Sequence, residues 1–254
     1  MIDLSGQVAL VTGSSRGIGS AIAVRLAEAG ADVFINFVSS RDAAMQTAEK
    51  VHRLGRRAWV VKADVREEDD IHSMIEFVAQ ETSRLNILVS NAASGGFRPL
   101  LETTATQFMA AMSINTLALI RLVQAAMPLL EQSAVRAKVI GLSSHGSQRA
   151  LPMYGLIGSS KAALESVARH LTLEVGHRNV NVNIVQSGLV ETDSTRMIPH
   201  ADQMFAGRRQ RSMMGNRDLE ANDIANAVLF LASSLSDLVQ GETLTVDGGA
   251  GLHV

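Results

Sequence analysis

Short apolar runs and longer segments with helical periodicity alternate along the chain. The runs are rich in valine and isoleucine and predict seven strands, at residues 7–12, 32–37, 57–62, 86–90, 137–143, 179–186 and 242–246. Apolar residues that recur every three or four positions predict helices between them, at residues 18–29, 41–54, 67–83, 104–130, 153–176 and 222–233, with a looser helical segment at 194–214. This alternation is typical of an α/β fold in which helices cover both faces of a parallel sheet.

The sequence shows no internal boundary. It contains no proline- or serine-rich linker, no repeat and no low-complexity run. Doubly wound α/β sheets often reach this length as one unit with one large core. We therefore predict that residues 1–254 form a single domain.

Composition narrows the classes of function. Hydrophobic residues make up 46% and charged residues 19% of the chain, and the formal net charge is -2, which gives no electrostatic reason to expect nucleic acid or a membrane surface as a partner. The absence of cysteine excludes disulfides and thiolate metal ligands, and favours a reducing compartment, so we expect a cytoplasmic protein. No uninterrupted apolar stretch reaches the ~20 residues that span a bilayer. A small-molecule partner is the expectation.

A glycine-rich turn, TGSSRGIG, directly follows the first predicted strand and places Gly13, Gly17 and Gly19 before a helix. Glycines let the backbone turn sharply and approach a pyrophosphate, whose charge is met by amides at the helix N-terminus. Three glycines can also serve a strand-to-helix turn for structural reasons alone. The pairs Asp64-Val65 and Asn91-Ala92 follow the third and fourth strands, where open α/β sheets bind ligands, and this context favours a dinucleotide.

The end of the second predicted strand bears on which dinucleotide binds. A carboxylate there favours NAD, whereas basic groups favour the 2′-phosphate of NADP. The strand is followed by Val38 to Arg41, with no carboxylate before Asp42. We therefore predict NADP, with Arg16 and Arg41 as a guanidinium pair for the phosphate. The alternative is that both arginines are solvated on polar turns.

Taken in order, the motifs resemble those of the short-chain dehydrogenase/reductase family over essentially the whole chain. The matching elements are TGSSRGIG, Asp64-Val65, SNAAS at 90–94, Asn115, Ser143-Ser144, Lys161 in SSKAALES, and GETLTVDGG near the C-terminus. The resemblance implies an oxidoreductase with a Rossmann-type sheet of seven strands in the order 3-2-1-4-5-6-7. It also implies assembly as a homotetramer or homodimer.

One position departs from the family's pattern. Most members place a catalytic tyrosine four residues before the lysine, but here Ile157 stands four residues before Lys161. The chain's single tyrosine, Tyr154, instead gives the spacing Y-x6-K, which resembles the enoyl-acyl-carrier-protein reductases of the superfamily. NAASGGFRP at 91–99, SSHGSQR at 143–149 and SGLVETD at 187–193 resemble in particular the NADPH-dependent type III enzymes.

This resemblance implies roles for individual residues. Tyr154 would stabilise the enolate oxygen, Lys161 would bind the nicotinamide ribose, and Asn115 would help to hold the lysine. Ser144 would either bind the substrate oxygen or shape the loop. The implied cofactor contacts are Gly13, Ser15, Arg16, Gly17, Ile18, Gly19, Ser40, Arg41, Asp64, Val65, Asn91, Ala92, Tyr154, Lys161, Gly188, Val190 and Thr192.

The distance by which the tyrosine is displaced is similar to the distance between the oxygens that become negative in ketone and enoyl reduction. Tyr154 and Lys161 lie on one helix face, and the shift from four to seven residues moves the phenol's anchor by ~4.5 Å along the helix. In ketone reduction, negative charge develops on the oxygen bonded to the carbon that accepts hydride. In reduction of a trans-2-enoyl thioester, hydride goes to C3 and charge appears on the thioester oxygen, a few bonds away.

We therefore expect an NADPH-dependent enoyl thioester reductase of fatty-acid or polyketide-type biosynthesis, with the acyl group on an acyl carrier protein or coenzyme A. The alternatives are a 3-oxoacyl or ketone reductase of the same family and a non-catalytic NADP-binding regulatory protein. Tyr154 could also be a structural tyrosine at a helix start, whose hydroxyl merely finds a hydrogen bond.

Two further regions contain residues that suggest a function. The segment 194–214 combines methionines with Arg208, Arg209 and Arg211, which suits a lid over an acyl chain whose arginines meet an acidic carrier. A plain surface helix with one buried stripe explains it equally well. His145 adjoins Ser144, but no G-x-S-x-G motif or acidic partner accompanies it, and the histidine spacings match no metal motif. Neither a hydrolase nor a metal site is expected.

Overall fold

Seven parallel strands form one sheet in the order β3-β2-β1-β4-β5-β6-β7. The computed structural model describes residues 2–198, 200–215 and 217–252. The strands are β1 (Val8–Val11), β2 (Asp32–Phe37), β3 (Ala58–Lys62), β4 (Ile87–Ser90), β5 (Ala137–Ser144), β6 (Val180–Ser187) and β7 (Thr243–Val246). The predicted Rossmann-type fold and strand order are confirmed. Because the order reverses between β1 and β4, their carboxyl ends open a crevice of the kind that binds ligands in such sheets.

Two helical layers cover the sheet. The helices are α1 (Gly17–Glu28), α2 (Arg41–Arg53), α3 (Glu68–Thr82), α4 (Ala105–Met112), α5 (Ala118–Leu130), α6 (Gly155–Val175), α7 (Asp193–Arg196), α8 (Ala201–Arg211) and α9 (Ala221–Ala232). One core packs side chains of α3, α5 and α6 on the sheet, and a second packs those of α1, α2 and α9. Burial on both faces explains why the strands inside the sheet have continuous apolar sequences, whereas the edge strands β3 and β7 are only partly buried.

The predicted helix at 104–130 is divided in the structure. A π-helical turn, Ser113–Leu117, separates α4 from α5 and contains Asn115. A π turn inserts one residue into the helical ladder and is frequent at functional sites. The whole stretch Ala105–Leu130 is long and apolar enough to cross a membrane by length and composition, but Leu119, Leu122 and other residues of α5 are buried in the core.

The segment predicted at 194–214 forms two helices, α7 and α8, rather than one. Pro199, which falls within that prediction, lies outside the described residues. The predicted helix at 153–176 begins at Gly155, so that Tyr154 is its N-cap residue. Met153 before it has a φ of 61°, in the left-handed region that non-glycine residues rarely adopt. This backbone turn directs the chain into α6 with the tyrosine at the first position.

Candidate active site

The glycine-rich turn after β1 is tightly closed. Gly13 and Gly17 have φ values of 61° and 57°, which favour glycine. A Cβ at Gly19 would lie 2.5 Å from Asn91 Nδ2 and 2.5 Å from the Gly13 carbonyl oxygen. Only glycine fits that position. The turn therefore leaves an open backbone cradle at the N-terminus of α1, which fits the pyrophosphate of a dinucleotide.

Two asparagines hold this cradle in place. Asn91 Nδ2 donates to the carbonyl oxygens of Thr12 (2.8 Å) and Gly13 (3.1 Å). Asn36 at the end of β2 accepts from Gly13 N (3.0 Å) and donates to Ala63 O (2.9 Å). The carboxyl ends of the four strands around the crevice are thus tied together before a cofactor arrives. The sequence predicted a role for Asn91 but not for Asn36. The one indication of Asn36 in the sequence was its polar side chain within an otherwise apolar part of a strand.

The residues expected near the adenosine end lie on the α2 side of the crevice. Ser40 directly precedes α2 and Arg41 begins it, with the arginine exposed. Arg16 directly precedes α1, and its guanidinium lies 3.6 Å from the Asp193 carboxylate, with both side chains largely exposed. These basic and hydroxyl side chains suit a phosphate, and β2 ends without a carboxylate.

Asp64 and Val65 follow β3, as predicted. The Asp64 carboxylate accepts hydrogen bonds from the Arg66 guanidinium at 3.0 and 3.1 Å, and these bonds lower the pKa of Asp64. Asp64 is therefore ionised at neutral pH and fixed in position, while Val65 is buried. Ser15 and Ala92 lie in the loops after β1 and β4, and Ile18 lies in the first turn of α1.

The loop after β6 passes over the glycine turn. The Thr192 γ-methyl would lie 3.6 Å from a Cβ at Gly17, so the loop and the turn are close neighbours. Val190 is buried, and its carbonyl oxygen accepts from Thr195 Oγ1 (2.7 Å). A Cβ at Gly188 would lie 2.9 Å from the Asp247 Cβ. The chain therefore passes so close to Asp247 at this point that position 188 has no room for a side chain.

Tyr154 faces Ser144 across the mouth of the crevice. Its hydroxyl lies 2.9 Å from Ser144 Oγ, so the two share a hydrogen bond. Its ring covers Gly146, where any side chain would overlap it, and lies 6.1 Å from the Phe97 ring between centroids. Burial raises the pKa of the Tyr154 hydroxyl, and the Ser144 hydrogen bond opposes this only in part. The phenol is therefore a neutral donor at physiological pH.

The position where the family usually has its tyrosine is filled by an apolar contact. The Ile157 side chain is buried and packs against Gly95, where a Cβ would overlap it. No proton donor is available there, which leaves the Tyr154 hydroxyl as the phenol of the site.

Lys161 lies beneath, on the same helix. It is buried, and its ammonium donates to the Leu142 carbonyl oxygen at 2.6 Å. Burial lowers the pKa of Lys161 to about 8, and the nearby Glu165 carboxylate opposes this effect. Glu165 is itself buried and accepts from Ser143 Oγ (2.5 Å) and Gln186 Nε2 (3.2 Å). Sequence reasoning missed Glu165, although an acid four residues after the lysine lies on the same helix face.

Asn115 joins two loops of the site. Its Nδ2 donates to the Ser94 carbonyl oxygen (2.8 Å) and to Ser160 Oγ (2.8 Å), and its Oδ1 accepts from Ser94 N (3.0 Å). It thereby holds the loop after β4 and the residue immediately before Lys161. Asn115 therefore reaches the lysine only through its neighbour Ser160.

His145 does have an acidic partner, contrary to the sequence-based expectation. Its Nε2 lies 2.9 Å from Asp247 Oδ2 without a well-directed hydrogen bond, and the pair is ionic only when the imidazole is protonated. Burial nevertheless lowers the pKa of His145. The neighbouring Ser144 hydroxyl is bonded to Tyr154 and not to this histidine, so the contact anchors the C-terminal loop and forms no nucleophilic pair.

Two of the three arginines of α8 form ion pairs within the chain. Arg208 is buried and pairs with Asp218 at 3.1 Å, and Arg209 donates to both oxygens of the same carboxylate at 2.6 Å. This weakens the interpretation of these two residues as a docking patch for an acidic carrier. Among the residues that the structure describes, no group of three or more potential metal ligands occurs.

Comparisons with known proteins agree with this geometry. The family model described as enoyl-(acyl carrier protein) reductase matches residues 13–251. A curated relative, 1-cyclohexenylcarbonyl-CoA reductase of Streptomyces collinus, is 32% identical over 245 residues, covering 96% of this chain and 86% of the relative. The chain belongs to the short-chain dehydrogenase/reductase family. It is therefore an oxidoreductase of the nicotinamide-dependent kind.

Solved structures of short-chain dehydrogenases share the whole fold. One from Burkholderia cenocepacia J2315 in complex with NADP is 34% identical, with a TM-score of 0.87 and coverage of 97% of this chain and 98% of that one. A 7α-hydroxysteroid dehydrogenase complexed with NADH and 7-oxo glycochenodeoxycholic acid is 29% identical, with a TM-score of 0.91 and coverage of 97% and 95%. Both nicotinamide cofactors and more than one reaction thus occur among relatives of this short-chain reductase.

The lowered pKa of Lys161 predicts a pH dependence. Below about pH 8 the lysine is charged, and above it the positive potential at the site is lost, so kcat/KM should fall in that range. Stability should move the opposite way, because the unfolded chain binds more protons between about 8 and 10.5, and the free energy of unfolding therefore rises with pH there. Rate profiles and denaturant titrations from pH 6 to ~10.5 test both directions. If the residual activity of Lys161→Arg still fell at alkaline pH, the fall in kcat/KM would belong to a group other than Lys161.

Proposed function

We propose that this short-chain reductase reduces the 2,3 double bond of a trans-2-enoyl thioester with NADPH. The observation that carries the proposal is the pairing of Tyr154 with Ser144, together with the apolar contact of Ile157 at the usual donor position. The name of the Streptomyces relative supports it, because a 1-cyclohexenylcarbonyl thioester has its double bond conjugated to the thioester carbonyl. The enoyl reductase family model supports the same class of reaction.

The residues present fit the cofactor. The cradle around Gly13, Gly17 and Gly19 would hold the pyrophosphate, and Lys161 would lie at the nicotinamide ribose. When bound, the nicotinamide supplies the hydride. Asn91 and Asn36 keep the cradle preformed, so little ordering is needed on binding.

The protein's own groups manage the developing charge. As hydride adds to C3, the carbon–carbon π bond breaks and its electrons move through C2 to the thioester oxygen. The neutral Tyr154 hydroxyl donates a hydrogen bond to that oxygen, and the Lys161 ammonium, held on Leu142, keeps the local potential positive. The enolate then takes a proton at C2, from the Tyr154 hydroxyl with replacement from solvent, and the thioester carbonyl is restored. Ser144 keeps the phenol aimed at the crevice.

Reduction of a ketone is the second candidate. The Tyr154 and Ser144 hydroxyls are 2.9 Å apart, close enough to bind one carbonyl oxygen together. The hydroxysteroid dehydrogenase among the structural relatives supports this alternative. A regulatory protein without turnover is disfavoured, because such a protein needs the cofactor cradle but not the buried lysine and phenol.

Ile157→Tyr separates the two reductions. The wild-type protein is expected to oxidise NADPH with crotonyl and longer 2-enoyl thioesters and much more slowly with 3-oxoacyl thioesters. A tyrosine at position 157 restores the family's spacing but must displace the packing against Gly95, so enoyl turnover should fall while 3-oxoacyl turnover rises. Ile157→Val, which keeps the apolar contact, is the control. Turnover of 3-oxoacyl thioesters alone by the wild type would overturn the proposal.

We also propose a preference for NADPH over NADH, carried by Arg16 and Arg41. Arg16→Ala removes a guanidinium that could pair with the 2′-phosphate, and a charge-assisted hydrogen bond contributes about 1.5–3 kcal/mol, so Kd for NADPH should rise about tenfold or more. The Kd for NADH should change little. Fluorescence titration of both cofactors measures the ratio, with the exposed Arg53→Ala on α2 as a control. Equal losses for both cofactors would exclude recognition of the phosphate.

The acyl carrier, the compartment and the oligomeric state complete the proposal. We propose that an acyl carrier protein or coenzyme A delivers the acyl group, in the cytoplasm, to a homotetramer or homodimer. Sedimentation of the purified protein measures the assembly, and activity on the two thioesters compares the carriers.

A further inference from the structure

The side chain of Arg98 has an unusual environment. Arg98 lies in the loop between β4 and α4, and its backbone N–H donates to the Met153 carbonyl oxygen at 2.9 Å, beside Tyr154. Its guanidinium Nε is buried and has no hydrogen-bond partner. Within residues 2–198, 200–215 and 217–252, no carboxylate lies within ion-pair distance of this guanidinium.

Comparison with similar arginines shows what is missing. Each of the three other arginines with a buried, unpartnered Nε pairs through a terminal nitrogen with a carboxylate: Arg25 with Glu28, Arg56 with Asp32, and Arg208 with Asp218. The Arg98 residue is partly exposed, but its Nε is buried, and a buried donor without a partner calls for an explanation. Arg98 therefore has a positive charge that the described chain does not balance.

The backbone leaves room for this guanidinium. A Cβ at Gly96 would lie 2.8 Å from one terminal nitrogen of Arg98 and 3.0 Å from its Nε. The two adjacent glycines thus have separate roles, since Gly95 accommodates Ile157 and Gly96 accommodates Arg98. The guanidinium therefore packs against the backbone of its own loop at Gly96.

Arg98 lines a cavity of about 500 Å³ that it shares with Tyr154. A second arginine, Arg149, lines the same cavity. The apolar side chains of Leu100 and Leu151 line it as well. An apolar wall combined with positive charge suits an acyl chain that carries an anionic group.

We propose that Arg98 binds an anionic oxygen group of the substrate, and that this group is a carboxylate on the acyl chain. The proposal rests on the proposed function, since it names a substrate class for the same site. The phosphate of a phosphopantetheine carrier is also an anion that an arginine binds. It is separated from the thioester by the whole length of the pantetheine group. Because Tyr154 meets the thioester oxygen and lines the same cavity as Arg98, an anion on the acyl side fits better.

Binding of saturated thioesters tests the inference without turnover. Calorimetry on the protein saturated with NADP would compare a glutaryl thioester of N-acetylcysteamine with its methyl ester, a pair that differs in the acyl charge. A second pair, butyryl-phosphopantetheine and butyryl-pantetheine, differs in the arm's phosphate. The wild type should bind the glutaryl thioester about tenfold or more tightly than its ester, as expected for a hydrogen-bonded ion pair.

Variants of this short-chain reductase test whether Arg98 causes the preference for the glutaryl thioester. Arg98→Met should abolish it and Arg98→Lys should retain part of it, because an ammonium keeps the charge but lacks the bidentate fork. Gly96→Ala should weaken it by displacing the guanidinium. Arg53→Met, at an exposed position of α2, should leave it unchanged. Thermal unfolding of each variant verifies that it is folded at the temperature of the titration.

The outcomes separate the two proposals. A preference for the glutaryl thioester that Arg98→Met removes supports the inference, and a phosphate preference that it removes places the arm's phosphate at Arg98 instead of the carboxylate. Equal affinities within both pairs, or a preference that survives Arg98→Met, overturn the anion site. Because the ligands are saturated, an absence of enoyl turnover would count against the proposed function and leave this result intact.

Discussion

Tyr154→Phe is expected to lower kcat/KM for a 2-enoyl thioester by about 10²- to 10⁴-fold, the range typical of a lost donor to a developing oxyanion. The substitution removes one oxygen and keeps the ring that packs over Gly146. Ser144 then loses its 2.9 Å partner but retains its place at the end of β5. The loss should fall on kcat, because the hydrogen bond strengthens as charge develops.

The cofactor site provides the control for this variant. NADPH binding depends on the glycine cradle, so Kd from fluorescence titration should change little, and the melting temperature should stay near that of the wild type. Activity within threefold of the wild type would remove Tyr154 from the chemistry and favour its interpretation as a structural tyrosine at the start of a helix. That result would also contradict the proposed electrostatic role of the phenol.

Gly158→Ala is expected to be nearly as damaging, although Gly158 contacts no reacting atom in the proposed mechanism. A Cβ there would overlap the Gly146 carbonyl oxygen, which is backbone and cannot rotate away. The start of α6 would have to move from the turn that follows Ser144, and Tyr154 would move with it. We expect a loss of about 1–3 kcal/mol in the free energy of unfolding. A displacement of about 1 Å would lower kcat about 10²-fold.

Gly207→Ala is the matched control in another helix. The nearest atom to a Cβ at Gly207 is Arg211 Nη1 at 3.6 Å, an ordinary contact with a flexible side chain. Because alanine is the better helix former, this variant should gain about 0.5–1 kcal/mol and keep full activity. Denaturant unfolding and steady-state rates measure both variants. If Gly158→Ala were as active as Gly207→Ala, the close approach of α6 to the turn would have no functional role.

Most of the sheet could be predicted because local pattern and tertiary burial agree. β2 was predicted with its observed bounds, Asp32–Phe37, since all six of its residues are buried. The helix at 104–130 was predicted as continuous because its apolar periodicity does not reveal a π turn. That turn is fixed by contacts of Asn115 with Ser94 and Ser160, which are distant in sequence.

The candidate site shows the same division. Spacing on one helix indicated Tyr154 and Lys161, and could have indicated Glu165. The acidic partner of His145 could not be found in this way, because Asp247 follows the last strand and reaches the histidine only after β5, β6 and β7 have paired. The unbalanced charge of Arg98 likewise becomes visible only when all neighbouring carboxylates have been placed.

The two helical layers have a consequence for the evolution of the enzyme. Tyr154 and Lys161 come from the layer of α5 and α6, whereas the glycine cradle and the residues before α2 belong to the layer of α1 and α2 on the opposite face. Residues that share no partners usually contribute additively to free energy. The choice between NADP and NAD, which we assign to Arg16 and Arg41, can therefore change without rebuilding the groups that handle the substrate, even though Lys161 serves both the cofactor's ribose and the reaction.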